Sequence, residues 1–221
     1  MKNLILSLTI LLLTSASVAA QSNVPKGTIK GQMLYWNGTA WVTISAGSNG
    51  EVLTFVNNTP VWTPSQPAIG QQFQGGVIAY ILQPGDPGYI AGQVHGLITT
   101  PSDQSTSITW YTGTKGITNG TTMSLGSGKA NTNAIVSFQE GGGYAAKLCH
   151  DLTLNGYNDW YLPSKDELNK LYVNKNLIGG FGDVSYWSSS ETTNAWLQNF
   201  FNGLQSPSIF KTAHVRAVRS F

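Results

Sequence analysis

The segment LPSKDELNKLY, residues 162–172, specifies its own local structure more tightly than any other part of this chain. Ser164 followed three residues later by Glu167 forms a capping box. The hydroxyl accepts from the backbone N–H at Glu167, and the Glu side chain reaches back to the N–H of Ser164. Asp166 and Glu167 suit the positive end of the helix dipole, and Leu168, Leu171 and Tyr172 give a buried face. Helical spacing also begins near Thr132, breaks at Gly141-Gly142-Gly143 and resumes from Tyr144 to Leu154. Around these helices lie strand-like runs: GGVIAYIL (75–82), HGLITT (95–100), SITWY (107–111), YWSSS (186–190), AWLQNF (195–200) and HVRAVRSF (214–221). Helices in the middle and strands at both ends imply an α+β domain over 70–221, mixed but mostly antiparallel, whose first and last strands meet in one sheet.

The preceding residues read differently. Lys2, the apolar run Leu4 to Leu13 and Ser17-Val18-Ala19-Ala20 have the pattern of a signal peptide over 1–20, with the mature chain starting near Gln21. The apolar run is too short to span a bilayer, and no Cys stands at the cleavage point to carry a lipid. The expectation is an exported protein, at the cell surface, outside the cell or in the periplasm. Residues 21–69 hold a loose repeat, GQMLYWNGTAWVT from Gly31 and GEVLTFVNNTPVWT from Gly50, each copy reading as a β-hairpin. Asn37-Gly38 is the stronger type I′ turn signal and Asn57-Asn58 the weaker. Hairpins this small cannot bury Trp36, Trp41 and Trp62 alone; neighbouring copies, another chain or the following domain would have to cover them, so a small stalk or adaptor open to homo-oligomer formation is expected, ended by the linker TPSQPAIG.

Composition removes several functional classes. Only 10% of the 221 residues are charged and the net charge is +2, with no basic stripe of the kind a nucleic-acid partner requires. The glycine-rich GSGKAN (126–131) has Met123 where a phosphate loop needs its first glycine and Ala130 where it needs Ser or Thr. His95, His150 and His214 are isolated from one another and from Cys149, so no zinc pattern exists and no cofactor is implied. Cys149 and His150 diverge by about 100° on a helix and do not make a nucleophile–base pair. The lone Cys149 excludes an intramolecular disulfide and falls on the core face with Ala145, Leu148 and Leu152. Asp103, Asp159 and Glu191 are the acidic residues in notable contexts. Asn158 and Asp159 echo a calcium loop, but carboxylates are too few nearby, and Asp159 reads as a cap on backbone amides. The chain is not expected to be an enzyme.

AAKLCHDLTLNGYNDWYLPSKDELNKLY, followed by YWSSSE, AW and VRAVRSF, resembles the Lcl C-terminal domain family, also called the Fibrobacter major paralogous domain. The resemblance runs from about Gly75 to Phe221 and rests on Asp159-Trp160, Leu162-Pro163, Glu167-Leu168, Trp187-Ser188-Ser189 and Val215-Arg216 in that order. It implies a C-type-lectin-like fold, similar also to the formylglycine-generating enzymes, in extracellular proteins that bind or adhere. It implies a structural role for Asp159, Trp160, Ser164, Glu167, Trp187, Trp196 and Phe200. The hairpin repeat looks like segments of surface and fibre-like proteins of Bacteroidetes. Two departures limit the carry-over: YND (157–159) lacks the carboxylate-rich loop of a calcium-dependent lectin, and the reactive cysteines of the formylglycine-generating enzymes are missing.

The uncharged segment TTNAWLQNFFNGLQSPSIF, residues 192–210, is the candidate binding surface. Strand parity puts Trp196, Gln198 and Phe200 on one face and Leu197, Asn199 and Phe201 on the other. The resemblance assigns the first set inward. The ligand-binding set is then Thr192, Thr193, Asn194, Leu197, Asn199, Phe201, Asn202, Leu204, Ser206, Ser208, Ile209, Phe210, Thr212 and His214. Targets of diversity-generating retroelements carry Asn-rich runs at such positions, and each of these residues is reachable from an Asn codon by mutating adenines. Clustered apolar side chains on loops mark interaction sites. The first expectation is therefore an exported adhesin-type binder of an unknown protein or glycan through a diversified surface. The second is a structural surface or fibre component whose C-terminal domain is a cap, and a distant third is an enzyme of the formylglycine-generating type.

Overall fold

The computed structural model describes residues 24–112, 118, 121–139, 141–208 and 212–221. The signal-peptide reading lies outside them, as do Ile209 and Phe210. The chain divides into two compact units, one ending at Ser65 and the other running from Gln66 to Phe221.

The first unit holds two separate two-stranded antiparallel sheets, β1 (Met33–Trp36) with β2 (Trp41–Ile44) and β3 (Glu51–Val56) with β4 (Thr59–Pro64). The two turn signals exchange roles. Asn57 and Asn58, at φ 48° and 60°, make the two-residue turn between the paired Val56 and Thr59. The expected two-residue turn at Asn37-Gly38 is corrected to a four-residue loop between the paired Trp36 and Trp41. There Asn37 Oδ1 accepts the N–H groups of Thr39 at 2.9 Å and Ala40 at 2.8 Å, which favours an Asx turn over a tight hairpin. Trp36 and Trp41 meet edge to face, with centroids 5.8 Å apart, and both stay exposed.

The second unit is α+β and mostly antiparallel. Its elements run β5 (Gln72–Phe73), β6 (Gly76–Ile81), β7 (Gly96–Thr99), β8 (Ser105–Ile108), α1 (Gly128–Phe138), α2 (Ala145–His150), α3 (Lys165–Val173), α4 (Lys175–Ile178), β9 (Ser185–Glu191), β10 (Ala195–Asn199), β11 (Gln205–Pro207), β12 (Ala213–Val215) and β13 (Val218–Ser220). One sheet has the order β13-β7-β6-β5, which brings the last strand into the same sheet as the first. The other has the order β11-β10-β9-β12-β8, with β12 parallel to β9 and its other pairs antiparallel. Only Arg216 and Ala217 separate β12 from β13, so the chain changes sheet within two residues.

The core lies on both faces of the larger sheet. One cluster joins Trp187, Leu197, Val215, Trp160, Leu162, Ile135 and the fully buried Cys149. The other joins Tyr186, Phe200, Leu168, Leu171, Tyr161 and Val218. The capping box is present as expected: Ser164 Oγ accepts from Glu167 N at 3.2 Å, and Glu167 Oε2 accepts from Ser164 N at 2.8 Å. Glu167 is completely buried, and its other oxygen accepts the Gly126 N–H at 3.0 Å. That carboxylate fixes the residue at 128 as glycine, because a Cβ there would collide with Glu167 Oε2.

Candidate functional site

Of the residues expected to anchor the fold, Trp160, Ser164, Glu167, Trp187 and Phe200 are buried, and Asp159 and Trp196 are half-buried. Trp187 donates its indole N–H to Ile108 O at 2.8 Å, and Trp160 donates to Tyr157 O at 3.2 Å. The serines after Trp187 are buried and bonded. Ser188 Oγ donates to Trp196 O at 2.9 Å and Ser190 Oγ to Thr122 O at 2.7 Å, so the polar run costs no unpaired hydroxyl. Asp159 does not cap backbone amides as expected. Its carboxylate takes Arg219 Nε at 2.7 Å and Nη2 at 3.0 Å, while the guanidinium stacks on Tyr157. A two-point guanidinium pair is stronger than an amide cap, and the Arg219 hydrogen bonds hold the Asp159 carboxyl below its ordinary value.

β10 departs from the expected parity. Gln198 and Phe200 are fully buried as expected, and Trp196 is half-buried under the Lys165 ammonium. Leu197, assigned outward, is 3% exposed and packs beside its strand partner Trp187. The correction has a simple cause: β10 is an interior strand of a sheet covered on both faces. Leu168 and Leu171 of α3 close the Phe200 side, and the Trp160–Leu162 cluster closes the Leu197 side. Ser208, also placed outward, is buried as well. Asn199 is half-buried and spends its side chain on the turn that follows, where Oδ1 accepts the N–H of Phe201 at 2.8 Å and of Asn202 at 3.3 Å.

What remains outside falls at two ends of the strands. Thr192, Thr193 and Asn194 form the turn between β9 and β10. Phe201, Asn202 and Leu204 lie on the turn between β10 and β11, one strand length away, about 16 Å. Ser206 lies between these ends on the edge strand, where it pairs with Leu197. Phe201 is 71% exposed and Leu204 62%. Their backbone is nonetheless held firmly. Gly203 N donates to Asn199 O at 2.7 Å, Lys175 Nζ donates to Phe200 O, and Gln198 Nε2 reaches Gly203 O at 3.1 Å. Gly203, at φ 80°, lies against the Tyr172 ring, where no side chain would fit.

Beside this turn runs an open groove of about 250 Å³ lined by Thr106, Val184, Ser185, Thr212, Ala213 and His214. Ser185 pairs with Asn199, and Val184 O accepts the Phe200 N–H at 2.8 Å, so groove and turn are continuous. The structure thus brings Thr212 and His214 together in the groove, sets Asn199 beside Ser185 of its wall, and leaves the Thr192–Asn194 turn at the other end of β10.

A buried polar cluster supports the groove. Asp103 Oδ2 receives His214 Nδ1 at 2.8 Å and Tyr186 Oη at 2.9 Å, and Oδ1 receives Arg216 Nε at 2.7 Å. A carboxylate paired with Arg216 only accepts, so Nδ1 of His214 carries a proton and donates it to Asp103. Burial, with the Asp103 charge adding to it, pushes the Tyr186 phenol up to about 12. Tyr186, Arg216, Val184 and Ser185 were not among the expected site residues. Asp103 was noted only for its context, because its partners are remote in sequence. Among the described residues no group of three metal-ligating side chains converges. Burial also pushes the Cys149 thiol far above its ordinary value. The site offers apolar contact, hydroxyls and one imidazole, which suits recognition by shape and hydrogen bonding.

Residues 99–219, more than half of the chain, match the model of the Lcl C-terminal domain. The chain belongs to the Lcl C-terminal domain family. The matched Lcl C-terminal domain begins within β7, so β5 and β6 complete its smaller sheet from outside the matched span. Membership supports a surface-type protein. No curated protein and no solved structure matches the chain. No helix among the described residues is long and apolar enough to cross a membrane.

Proposed function

We propose that this chain is an exported, non-enzymatic binding protein whose Lcl C-terminal domain is a C-type-lectin-like scaffold for a recognition surface. The surface is the turn bearing Phe201, Asn202 and Leu204 together with the groove ending at Thr212 and His214. One observation carries the reading: two large apolar side chains are 71% and 62% exposed on a turn whose backbone N–H groups from Phe201 to Leu204 are all bonded. Exposed apolar groups on a rigid support lose little entropy on contact, and aromatic groups supply much of the area in interfaces. The ligand is a protein or a glycan, and the low charge of the segment lowers the desolvation cost of contact.

The diversified set becomes smaller than parity alone gives. Leu197 and Ser208 leave it because they are buried, while Phe201, Asn202, Leu204, Thr212, Thr192 and Thr193 remain exposed. A reverse-transcriptase gene nearby, with a template repeat differing only at adenines, supports diversification; a neighbourhood with neither removes it.

The binding reading is tested on glycan and protein arrays. Ligands retained by the wild type should weaken at least about tenfold for Phe201→Ser combined with Leu204→Ser. Phe138→Ser, an exposed apolar control on α1, should leave them unchanged. Equal loss in both variants, or in neither, would refute it.

A further inference from the structure

One turn recurs three times along the chain. Gly31, Gly50 and Gly70 have φ of 87°, 84° and 87°, and each is followed by a side chain ending in an oxygen acceptor, Gln32, Glu51 and Gln71. In each copy the backbone N–H of that residue donates to the carbonyl three residues back, at Ile29, Ser48 and Ala68, at 3.3, 3.1 and 3.0 Å. Its side-chain oxygen then accepts the N–H of the same earlier residue, at 3.1, 2.6 and 3.1 Å. The copies open β1, β3 and β5. The hairpins of the first unit are thus successive repeats of one module, and the module packs on itself. Trp62 of the second copy donates its indole N–H to Ser45 O at 2.8 Å and lays its ring against Gly47, where a Cβ would not fit.

Packing between these two copies leaves most of the module uncovered. By register, one face of β3 and β4 consists of Val52, Thr54 and Val56 opposite Thr63, Val61 and Thr59, six β-branched residues and nothing else. Val52 is 45% and Val56 51% exposed, and Phe55 on the other face is 73% exposed. β-branched residues suit face-to-face packing of sheets, and an isolated two-stranded hairpin is marginal in water. Charge decides which partner fits. From Gly31 to Gly85 the only charged residue is Glu51, and its carboxylate is occupied by the Ser48 N–H. Charged side chains are the usual means of keeping sheet surfaces from associating. This face has nothing to repel an identical face and nothing to select a charged partner.

We propose that the unit from β1 to β4 is a self-association module in which the Val/Thr face of β3–β4 packs on the same face of a second copy of this chain. The proposal is independent of the recognition surface.

Sedimentation of the full chain tests it. The wild type should run as a multiple of the chain mass, and Val52→Lys combined with Val56→Lys should run as a monomer. Amide exchange should still protect the backbone pairing of β3 with β4 in that variant, which separates dissociation from unfolding of the module. A second variant, Val56→Cys, should be joined into a covalent dimer by a bis-maleimide whose arm spans about 10–15 Å, the reach across two packed sheets, with the buried Cys149 taking no part. A monomeric wild type, an unchanged mass in the Lys variant, or no linked dimer of Val56→Cys would overturn the proposal. So would dissociation caused by Phe201→Ser and Leu204→Ser, because the interface would then be the other surface.

Discussion

Asp103 Oδ1 stands 2.7 Å from Arg216 Nε, a residue 113 positions further along the chain, and the guanidinium it holds is completely buried. Arg216 also donates to Thr100 O at 3.0 Å and to Gly180 O, and it stacks on Phe181. Removing the charge at Asp103 leaves a buried cation without its counter-ion. Asp103→Asn should therefore cost about 3–5 kcal/mol of stability. Denaturant unfolding measures it, and a cost under about 1 kcal/mol would show that backbone carbonyls alone satisfy the guanidinium.

Phe200 and Phe201 are neighbours with opposite fates. Phe200 is fully buried, with ring centroids of Tyr186 at 4.5 Å, Phe181 at 4.8 Å and Tyr172 at 5.5 Å. Phe200→Ala should lose roughly 3–5 kcal/mol, whereas Phe201→Ala should stay within about 0.5 kcal/mol of wild type. Leu197→Ala should fall with the first, at about 2–5 kcal/mol, and Leu204→Ala with the second. Urea midpoints rank the four variants, and a Leu197 loss no larger than that of Leu204 would contradict the two-sided burial of β10.

Burial raises the Glu167 carboxyl above its ordinary value of 4.5, against opposing hydrogen bonds from Ser164, Gly126 and Gly128. The unfolded chain gives up this proton at lower pH than the folded chain does. The stability linked to this group is therefore fully present below about pH 4.5 and is lost as pH rises through the folded value. Glu167→Gln removes the titration, so the stability advantage of wild type over the variant should shrink from pH 4 upward. Unfolding free energies of both proteins across that range test it; a pH-independent gap would rule it out.

Cys149 has no exposed surface, and burial pushes its thiol far above the ordinary range. The native protein should not react with a thiol reagent at pH 8, and one thiol per chain should appear on unfolding. Rapid labelling of the native state would mean that α2 opens locally.

The features legible in the sequence were those decided by neighbours along the chain. The capping box at Ser164 and Glu167 needs three intervening residues and no tertiary partner. The pairing of β6 with β7 followed from two apolar runs around a Gly/Pro-rich loop. Parity in β10 gave the right face for Gln198 and Phe200 but the wrong one for Leu197. Alternation tells which side chains share a face, and only the distant α1, α2 and α3 decide whether the second face is covered. The hairpin turns misled for a related reason: the Asn37 side chain bonds its own loop more favourably than a type I′ turn allows. The groove beside His214 draws on β8, β9 and β12, and its Asp103 support lies before the helices, so no short motif contains it.

The two-residue passage from β12 to β13 bears on how any ligand is met. The chain leaves one sheet at Val215 and joins the other at Val218, with Arg216 bonded on the way to Asp103 and Thr100. No stretch of slack lies between the sheets at that point to serve as a hinge. On the proposed binding reading, a partner at the Phe201 turn would then find its complementarity in the choice of side chains. On that reading the scaffold would serve as a die with an exchangeable face, in which a new specificity needs new residues at the tip and no new motion beneath it.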